Sequence, residues 1–503
     1  MNYQSTRGDR TPVPSARAIA QGICADGGLF VPECFPQLTH GDFEAMQHES
    51  YTRRADRILS LFLTDFTREE IGECTAKAYA GEMFSGGAPA PLAHPDGTGA
   101  SVLELWHGPT CAFKDMALRL LPHLMTKSLQ KIKAQNGALI LVATSGDTGK
   151  AALEGFRDVE HTRILVFYPQ DGVSAMQQRQ MCTQEGTNVS VCAVRGNFDD
   201  AQTGVKRMFA DAELKRLLAE SGWAFSSANS INWGRLVSQI VYYFSAYCDL
   251  VSTGRMRLGE KINIAVPTGN FGNILAAYYA GKMGLPVKRL ICASNANNVL
   301  TEFLTTGVYD RNRRFYTTLS PSMDILVSSN LERLLYDLTG GDGERVSAWM
   351  LQLARTGRYE VGKDILEKLR SAFSAYCCGD AETRTEIRRV YERCGYLCDP
   401  HTAVAADAFR RFTEETGGGA PAVVVSTASP FKFAPGVLNA LTGKDCGDDE
   451  FAAADRLSRM TGVPVPAPLE ALRTKPVRFR ESCGTEEMGR TVLAFAGQKS
   501  GEL

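Results

Sequence analysis

The segment Trp106-His107-Gly108-Pro109-Thr110-Cys111-Ala112-Phe113-Lys114-Asp115 joins two stretches of different periodicity. Before it, the apolar run at 101–105 predicts a short β-strand. After it, the amphipathic run at 116–133 predicts a helix, with a kink or break at Pro122 because an interior proline removes a backbone hydrogen bond. Lys114 is therefore expected on a turn between strand and helix, where α/β domains present reactive groups.

Two interpretations of Lys114 are open from its neighbours. Phe113 and Met116 give it apolar surroundings, which disfavour the charged amine, lower its pKa and make it a nucleophile. Such a lysine would hold a cofactor as a Schiff base. The alternative is an ordinary lysine that lays its alkyl stem on apolar surface and keeps its ammonium group in water.

Composition limits the class of protein. A chain of 503 residues predicts two or three domains, and 44% hydrophobic with 22% charged residues is typical of soluble globular proteins. The net charge of −1 gives no support for a nucleic acid or membrane-surface partner. Because neither a membrane-length apolar run nor an apolar signal core is present, we expect a cytoplasmic protein. The 14 cysteines lack zinc-site spacing, so no metal site is expected.

Three domains are predicted. Residues 1–97 form a small, mostly helical N-terminal domain that ends in a Gly- and Pro-rich stretch. Residues 98–240 form a smaller α/β domain that carries Lys114, and residues 241–503 form a larger α/β domain.

The fold class is indicated by continuous apolar strands that alternate with helices, a pattern typical of parallel sheets covered on both faces. We therefore predict an α/β protein with two doubly wound open-sheet domains around a central cleft. The predicted strands lie at 138–144, 163–168, 188–194, 261–268, 287–293 and 422–426, and 324–395 reads as mostly helical.

The loop Gly269-Asn270-Phe271-Gly272-Asn273 joins a predicted strand to a predicted helix. Its glycines allow close backbone approach, the helix N-terminus attracts anions, and its two asparagines add donors, so it suits a phosphate group. It matches neither the Walker pattern nor the dinucleotide-binding pattern. An ordinary turn between strand and helix is the alternative.

Two further loops come directly after predicted strands. In Thr144-Ser145-Gly146-Asp147-Thr148-Gly149, hydroxyl and N–H groups suit a carboxylate or a second phosphate, and a capped helix start is the alternative. In Ser426-Thr427-Ala428-Ser429-Pro430, a hydroxyl could meet a heteroaromatic nitrogen, although Ser429-Pro430 also reads as a plain helix start.

Three features follow one another along the chain: a lysine early, a phosphate loop much later and a hydroxyl loop near the end. This order resembles that of the fold type II pyridoxal-phosphate enzymes, the tryptophan synthase β superfamily. Within it, the chain resembles the threonine synthase family from residue 3 to at least 435. The matching runs are Tyr3-Gln4-Ser5-Thr6-Arg7-Gly8, Asp26-Gly27-Gly28-Leu29-Phe30-Val31-Pro32, His107-Gly108-Pro109-Thr110, Phe113-Lys114-Asp115, Ser227-Ala228-Asn229-Ser230-Ile231-Asn232-Trp233 and the three loops at 144–149, 269–273 and 426–430.

This resemblance implies roles for particular residues, with pyridoxal 5′-phosphate as the cofactor. Lys114 corresponds to the Schiff-base lysine and the catalytic residue. The loop Gly269, Asn270, Phe271, Gly272 and Asn273 would hold the cofactor phosphate. Thr427 would meet the pyridine nitrogen, and Asp147 would approach the ring 3′-oxygen. The residues implied to bind substrate are Ser145, Thr148 and Asn232.

The chain departs from the family pattern at two places. Ser429 stands where the family often has His before the proline, and Tyr168-Pro169-Gln170-Asp171 lacks a basic residue that the family often has. If that residue helps to hold the substrate phosphate, another cation must do so here. Arg235 and Lys432 are the predicted substitutes, with solvated helix residues as the alternative for both.

The implied reaction converts O-phospho-L-homoserine and water to L-threonine and phosphate, by γ-elimination and then β-addition of water. One alternative is a phospho-lyase or dehydratase of the same superfamily that ends at a 2-keto acid. Another is a catalytically silent phosphate-binding homologue. The sequence leaves the oligomeric state open between monomer and homodimer.

Overall fold

The computed structural model describes residues 1–144, 146–445, 447 and 449–497. Its strands are β1 (Asn2–Ser5), β2 (Val13–Pro14), β3 (Phe30–Pro32), β4 (Leu92–Ala93), β5 (Ser101–Glu104), β6 (Gly137–Ala143), β7 (Thr162–Pro169), β8 (Val189–Val194), β9 (Trp223–Ser226), β10 (Ile262–Pro267), β11 (Val287–Ser294), β12 (Val308–Asp310), β13 (Arg358–Glu360), β14 (Phe373–Cys377), β15 (Ala422–Ser426) and β16 (Ser482–Cys483).

The helices are α1 (Ser15–Gln21), α2 (His40–Met46), α3 (Tyr51–Phe62), α4 (Arg68–Tyr79), α5 (Asp115–Leu118), α6 (Leu121–Lys131), α7 (Asp147–Phe156), α8 (Ala175–Cys182), α9 (Phe198–Ala210), α10 (Ala212–Glu220), α11 (Trp233–Ser252), α12 (Gly272–Lys282), α13 (Val299–Thr306), α14 (Leu331–Leu338), α15 (Gly343–Thr356), α16 (Lys363–Ala372), α17 (Asp380–Cys394), α18 (Pro400–Thr416), α19 (Ala434–Thr442), α20 (Glu450–Thr461), α21 (Ala467–Glu470) and α22 (Met488–Gly497). A short 3₁₀ helix at Pro321–Met323 borders the cleft that contains Lys114.

The N-terminal region combines helices α1 to α4 with a small antiparallel sheet of order β2-β1-β3. Helix α4 begins at a capping box, in which Thr67 and Glu70 satisfy each other's backbone N–H groups. Helices α1 to α4 confirm the mostly helical N-terminal region that the sequence predicts.

Two main sheets organise the rest of the chain. The first, here called the small sheet, has the order β16-β8-β7-β6-β9 in the described part of the chain, and all of its strand pairs are parallel. Every residue of β7 is buried. Helices cover both faces, which is why its strands read as continuous apolar runs.

The second, here called the large sheet, has the order β14-β11-β10-β15-β5-β4 within the described residues. Its pairs are parallel except for β4, which runs antiparallel to β5. Strands β10, β15 and β5 are neighbours although they lie far apart in sequence. Their carboxyl ends therefore bring the loop 269–273, Thr427 and Lys114 to one edge of one sheet.

The two sheets do not follow the expected domain boundaries, which lie between residues 97 and 98 and between residues 240 and 241. Strand β5, which leads to Lys114, pairs with β15 in the large sheet, and β16 near the C-terminus pairs with β8 in the small sheet. Lys114 and the loop 269–273 thus lie at one edge of one sheet, although the expected boundary between residues 240 and 241 assigns them to different domains. An apolar run predicts a strand, but its pairing partner is decided by tertiary packing.

The structure also bears on the predictions for individual helices and strands. The chain leaves the helix between α5 and α6, and Pro122 occupies the first turn of α6, so the expected break is confirmed. The edge strands β4, β9, β14 and β16 of these two sheets were not predicted, because short edge strands carry little pattern of their own. Strand β14 lies within 324–395, which was expected to be mostly helical. Of the helices in the described ranges, none has the length and apolarity required to cross a bilayer.

Candidate active site

Lys114 directly precedes α5 and is 9% exposed. Its Nζ donates a hydrogen bond to Oγ of Ser322 at 3.2 Å and lies 3.8 Å from Oδ2 of Asp147. Burial, with the nearby charges of Lys432 and Arg235, lowers the pKa of the Lys114 amine to about 8, although Asp147 opposes this shift. A substantial neutral fraction near physiological pH allows the amine to act as nucleophile or base.

Asp147 begins α7 at the carboxyl end of β6, so the small sheet contributes it to the site. Its Oδ1 accepts hydrogen bonds from Nζ of Lys432 at 2.6 Å and from Nε2 of Gln177 at 3.0 Å. Burial alone would raise the pKa of this carboxyl, but the charges of Lys432 and Lys114 outweigh it and hold the pKa well below the usual value. Asp147 is therefore an ionised counter-charge beside the Lys114 amine.

The backbone of 269–273 is shaped to receive an anion. Among the described residues, none accepts a hydrogen bond from the N–H groups of this loop. Phe271 has φ 62°, in the left-handed region that non-glycine residues rarely occupy and that costs about 1–3 kcal/mol. A Cβ at Gly269 would lie 3.0 Å from the carbonyl oxygen of Ser322, so only glycine fits there without displacing that neighbour.

Asn273, 7% exposed in the first turn of α12, adds a buried donor. Its Oδ1 accepts hydrogen bonds from the hydroxyls of Tyr242 and Tyr243, which fixes the orientation of the amide. Its Nδ2 has no partner among the described residues. A buried donor without an acceptor is costly, which indicates that a ligand oxygen belongs there.

Arg235 is a second unmatched group on the same cleft. It lies in the first turn of α11, is 3% exposed, and Nη1 donates to the carbonyl of Ala228 at 3.0 Å. No carboxylate in the described ranges pairs with it, and its Nε lacks a partner. Burial lowers the pKa of this guanidinium to about 10. A buried, unpaired arginine is the arrangement expected for an anionic ligand.

Thr427 and Thr148 also lie on the cleft. Thr427, 5% exposed, directly succeeds β15, and its carbonyl accepts a hydrogen bond from the N–H of Phe113 at 2.8 Å, which ties the Lys114 loop to the strand. The full set lining the cleft is Phe113, Lys114, Thr148, Asn229, Ser230, Arg235, Gln239, Pro267, Thr268, Gly269, Asn270, Phe271, Gly272, Asn273, Ser322, Met323, His401 and Thr427.

Sequence reasoning missed Ser322 and His401. Ser322 Oγ bridges Lys114 and Asp147, since it also donates to Oδ2 of Asp147 at 3.4 Å. His401 Nδ1 lies 2.7 Å from Oδ1 of Asp399, and Nε2 accepts from the Ser322 N–H at 3.2 Å. The run Asp399-Pro400-His401-Thr402 carries a clear helix-start signal, but nothing local places His401 beside Lys114.

Three predicted residues lie elsewhere or outside the described chain. Asn232 does not line the cleft, because its Nδ2 donates to the carbonyl of Ile19 and its Oδ1 caps α11. Lys432 is buried and bound to Asp147 and to the carbonyl of Thr110. Ser145 lies outside the described residues.

Family models match nearly the whole chain. Residues 92–428, more than half of it, match the model described as "Pyridoxal-phosphate dependent enzyme". Residues 2–79 match "Threonine synthase N terminus", and residues 402–487 match "Threonine synthase, C-terminal". The fold and the site are thus those of a pyridoxal-phosphate-dependent α/β enzyme.

Individual relatives narrow the class. A threonine synthase from Pseudomonas aeruginosa is 38% identical over 88% of this chain and 91% of its own length. A PLP-bound threonine synthase from Brucella melitensis matches in structure with a TM-score of 0.87 and 36% identity, covering 99% of this chain and 100% of that one. The chain belongs to the threonine synthase family.

Other relatives differ in name and length. Threonine synthase-like 1 from Homo sapiens is 41% identical over 86% of this chain, and the chain spans 58% of that protein. The Macaca fascicularis protein of the same name is 42% identical, again with 58% of its length covered.

The cofactor of this family, pyridoxal 5′-phosphate, fits the residues present. The unpaired Nδ2 of Asn273 and the free N–H groups of 269–273 supply donors for its phosphate, and Lys114 supplies the buried amine that would hold it. The neutral hydroxyl of Thr427 lies on the same cleft.

Proposed function

We propose that the chain is a threonine synthase that converts O-phospho-L-homoserine and water to L-threonine and phosphate. One observation carries the proposal: the cleft that holds Lys114 is lined by two sets of unpaired donors that suit an anion. The loop 269–273 suits the cofactor phosphate, and the unpaired guanidinium of Arg235 suits the phosphate of a substrate. Lys432, the other cation predicted for the substrate phosphate, is instead bound to Asp147.

When bound, the cofactor supplies the electron sink that proton removal from the substrate α carbon requires. The chain's own contribution begins with Lys114. A pKa of about 8 leaves roughly a tenth of its amine neutral at pH 7, ready to take up a proton at Nζ. In this proposal the same Nζ returns protons at the β and γ carbons.

Asp147 and Ser322 orient that amine. Oγ of Ser322 lies between Nζ of Lys114 and Oδ2 of Asp147, and Asp147 itself is fixed by Lys432. An ionised carboxylate 3.8 Å from Nζ stabilises the ammonium form, so it eases proton uptake. We assign Thr427 to the pyridine nitrogen, and Thr148 to the substrate, as polar groups on the same cleft.

A phospho-lyase that ends at 2-oxobutyrate is the second candidate. It stays a candidate because the chain is 40–42% identical to proteins named threonine synthase-like 1, a name that specifies no reaction, and 36–38% identical to those named threonine synthase. Both reactions use the same cofactor residues and differ only in the steps after loss of phosphate. Product analysis decides: O-phosphohomoserine should give threonine and phosphate, whereas 2-oxobutyrate with ammonia would establish the lyase. No turnover would indicate a silent homologue.

Lys114→Ala tests the anchor. Borohydride treatment of the yellow holoenzyme should fix the cofactor on the peptide that contains residue 114, and Lys114→Ala should abolish both labelling and turnover. Lys150→Ala is the matched control, since Lys150 is equally buried but pairs with Glu154. Labelling and full turnover in Lys114→Ala would refute the mechanism.

Arg235→Gln tests the substrate phosphate. The loss of a charge-assisted contact, about 1.5–3 kcal/mol, should raise KM for O-phosphohomoserine about tenfold or more. Affinity for the cofactor should stay unchanged. Weaker cofactor binding with an unchanged KM would instead assign Arg235 to the cofactor phosphate.

A further inference from the structure

A second cavity of about 300 Å³ lies behind the large sheet, at the amino ends of β5, β10 and β15. Helices α17 and α18 form its roof, and its apolar lining includes Val102, Val390, Phe409 and Val424. The catalytic cleft lies at the opposite, carboxyl edge of the same strands. The first turn of α18 stands between the two, since His401 lines the cleft and Thr402 lines this rear cavity.

Asn263 is the unexplained group in the rear cavity. It lies on β10 and is 1% exposed. Neither polar atom of its side chain is hydrogen-bonded within the described residues, and Oδ1 is fully buried. Whichever way the amide is turned, a donor and an acceptor stand unmatched. Buried amides of folded proteins nearly always have partners, so this one points to a polar ligand.

Charged groups surround the same space. Glu386 is 3% exposed, and its Oε2 lies 3.3 Å from Nε of Arg389 and 3.5 Å from Nε of Arg410. Burial raises the pKa of this carboxyl, opposed by the two arginines. Arg393 lines the cavity on its exposed side and forms no ion pair or hydrogen bond with any described residue. The cavity therefore offers an inner amide and carboxylate and an outer free cation.

We propose that the rear cavity binds a small aliphatic L-α-amino acid as its zwitterion. The ammonium group is bound by Asn263 and Glu386, the carboxylate by Arg393, and the hydrocarbon side chain packs on Val390 and Phe409. A hydrocarbon or a simple carboxylate has no donor and leaves the Asn263 acceptor unmatched. The volume lies at the lower end of small-molecule sites and suits a ligand of this size.

The test uses the full-length holoenzyme and measures binding, so it does not depend on the proposed reaction. L-valine, L-leucine and L-isoleucine are titrated by calorimetry, with isovalerate as the probe that lacks the ammonium group. The variants are Arg393→Gln and Asn263→Leu. The matched control is Arg384→Gln, on the same helix but not lining the cavity; among the described residues, its side chain donates a hydrogen bond to the carbonyl of Asp380.

We expect saturable binding of at least one of the three amino acids and none of isovalerate. Arg393→Gln and Asn263→Leu should weaken it about tenfold or more, the usual effect of a lost charge-assisted contact, whereas Arg384→Gln should not. Cofactor absorbance should stay constant. Absence of binding would overturn the proposal, and the partner of Asn263 would then be water.

Binding that is equally tight in Arg393→Gln, or that shifts the cofactor absorbance, would place the amino acid in the catalytic cleft and also overturn it. If Asn263→Leu fails to fold, the exposed Arg393→Gln decides alone.

Discussion

Replacing Asp147 by asparagine should move the pKa of Lys114 to lower pH. The carboxylate lies 3.8 Å from Nζ and favours the ammonium form. Asparagine keeps the shape and a hydrogen-bonding oxygen but removes the charge. Without the carboxylate charge, the ammonium form of Lys114 is less stable and loses its proton at lower pH. The pKa of Lys114 therefore falls from about 8.

The size of the shift is set by the distance. Two unit charges at this separation interact by about 4 kcal/mol at an effective dielectric constant of ~20. At 1.36 kcal/mol per pK unit, this is an upper limit of about three units. Water and side-chain relaxation reduce it, so we expect a fall of about one to three units, with a midpoint between roughly pH 5 and 7.

The assay measures the reaction of the Lys114 amine with an acylating reagent in cofactor-free protein, quantified by peptide mass spectrometry from pH 5 to 10. Wild type should show a midpoint near pH 8. Glu386→Gln is the matched control, because Glu386 is also a buried carboxylate but does not contribute to the shift at Lys114. Because Lys432 loses its partner, circular dichroism must verify the fold. An unchanged or raised midpoint in folded Asp147→Asn would refute the reasoning.

Three further outcomes are expected. Asn273→Ala should weaken cofactor binding about tenfold or more in equilibrium dialysis, since it removes the unpaired Nδ2 donor, and unchanged affinity would remove Asn273 from the cradle. His401→Leu should lower kcat about tenfold or more with little change in KM, because the Ser322 N–H loses its acceptor; normal turnover would make His401 merely structural. Gly155→Ala should lower the thermal midpoint by several degrees, as its Cβ would collide with the Leu118 carbonyl, whereas Gly72→Ala, in open space on α4, should not.

The sequence by itself determined the long strands and the chemical groups that follow them. Long apolar runs such as β6 and β7 predict buried parallel strands because both of their faces are covered. The loop 269–273 is a candidate anion site because its glycines allow close backbone approach at a helix start and its asparagines add donors, although an ordinary turn has the same pattern. The residues around Lys114 left its role open between a Schiff-base lysine and an ordinary lysine, and the family resemblance favours the Schiff-base lysine.

Tertiary structure decided what these groups do together. The adjacency of β10, β15 and β5 brings residues 114, 269–273 and 427 to one edge, and strand pairing of this kind leaves no local trace in sequence. The same holds for His401, whose partner Ser322 lies 79 residues away. Arg235 and Lys432 were equal candidates until their surroundings were known: one guanidinium is buried without a carboxylate, and one amine is bound to Asp147. Burial and pairing belong to the folded chain, because a residue's neighbours in space are set by packing rather than by its neighbours in sequence.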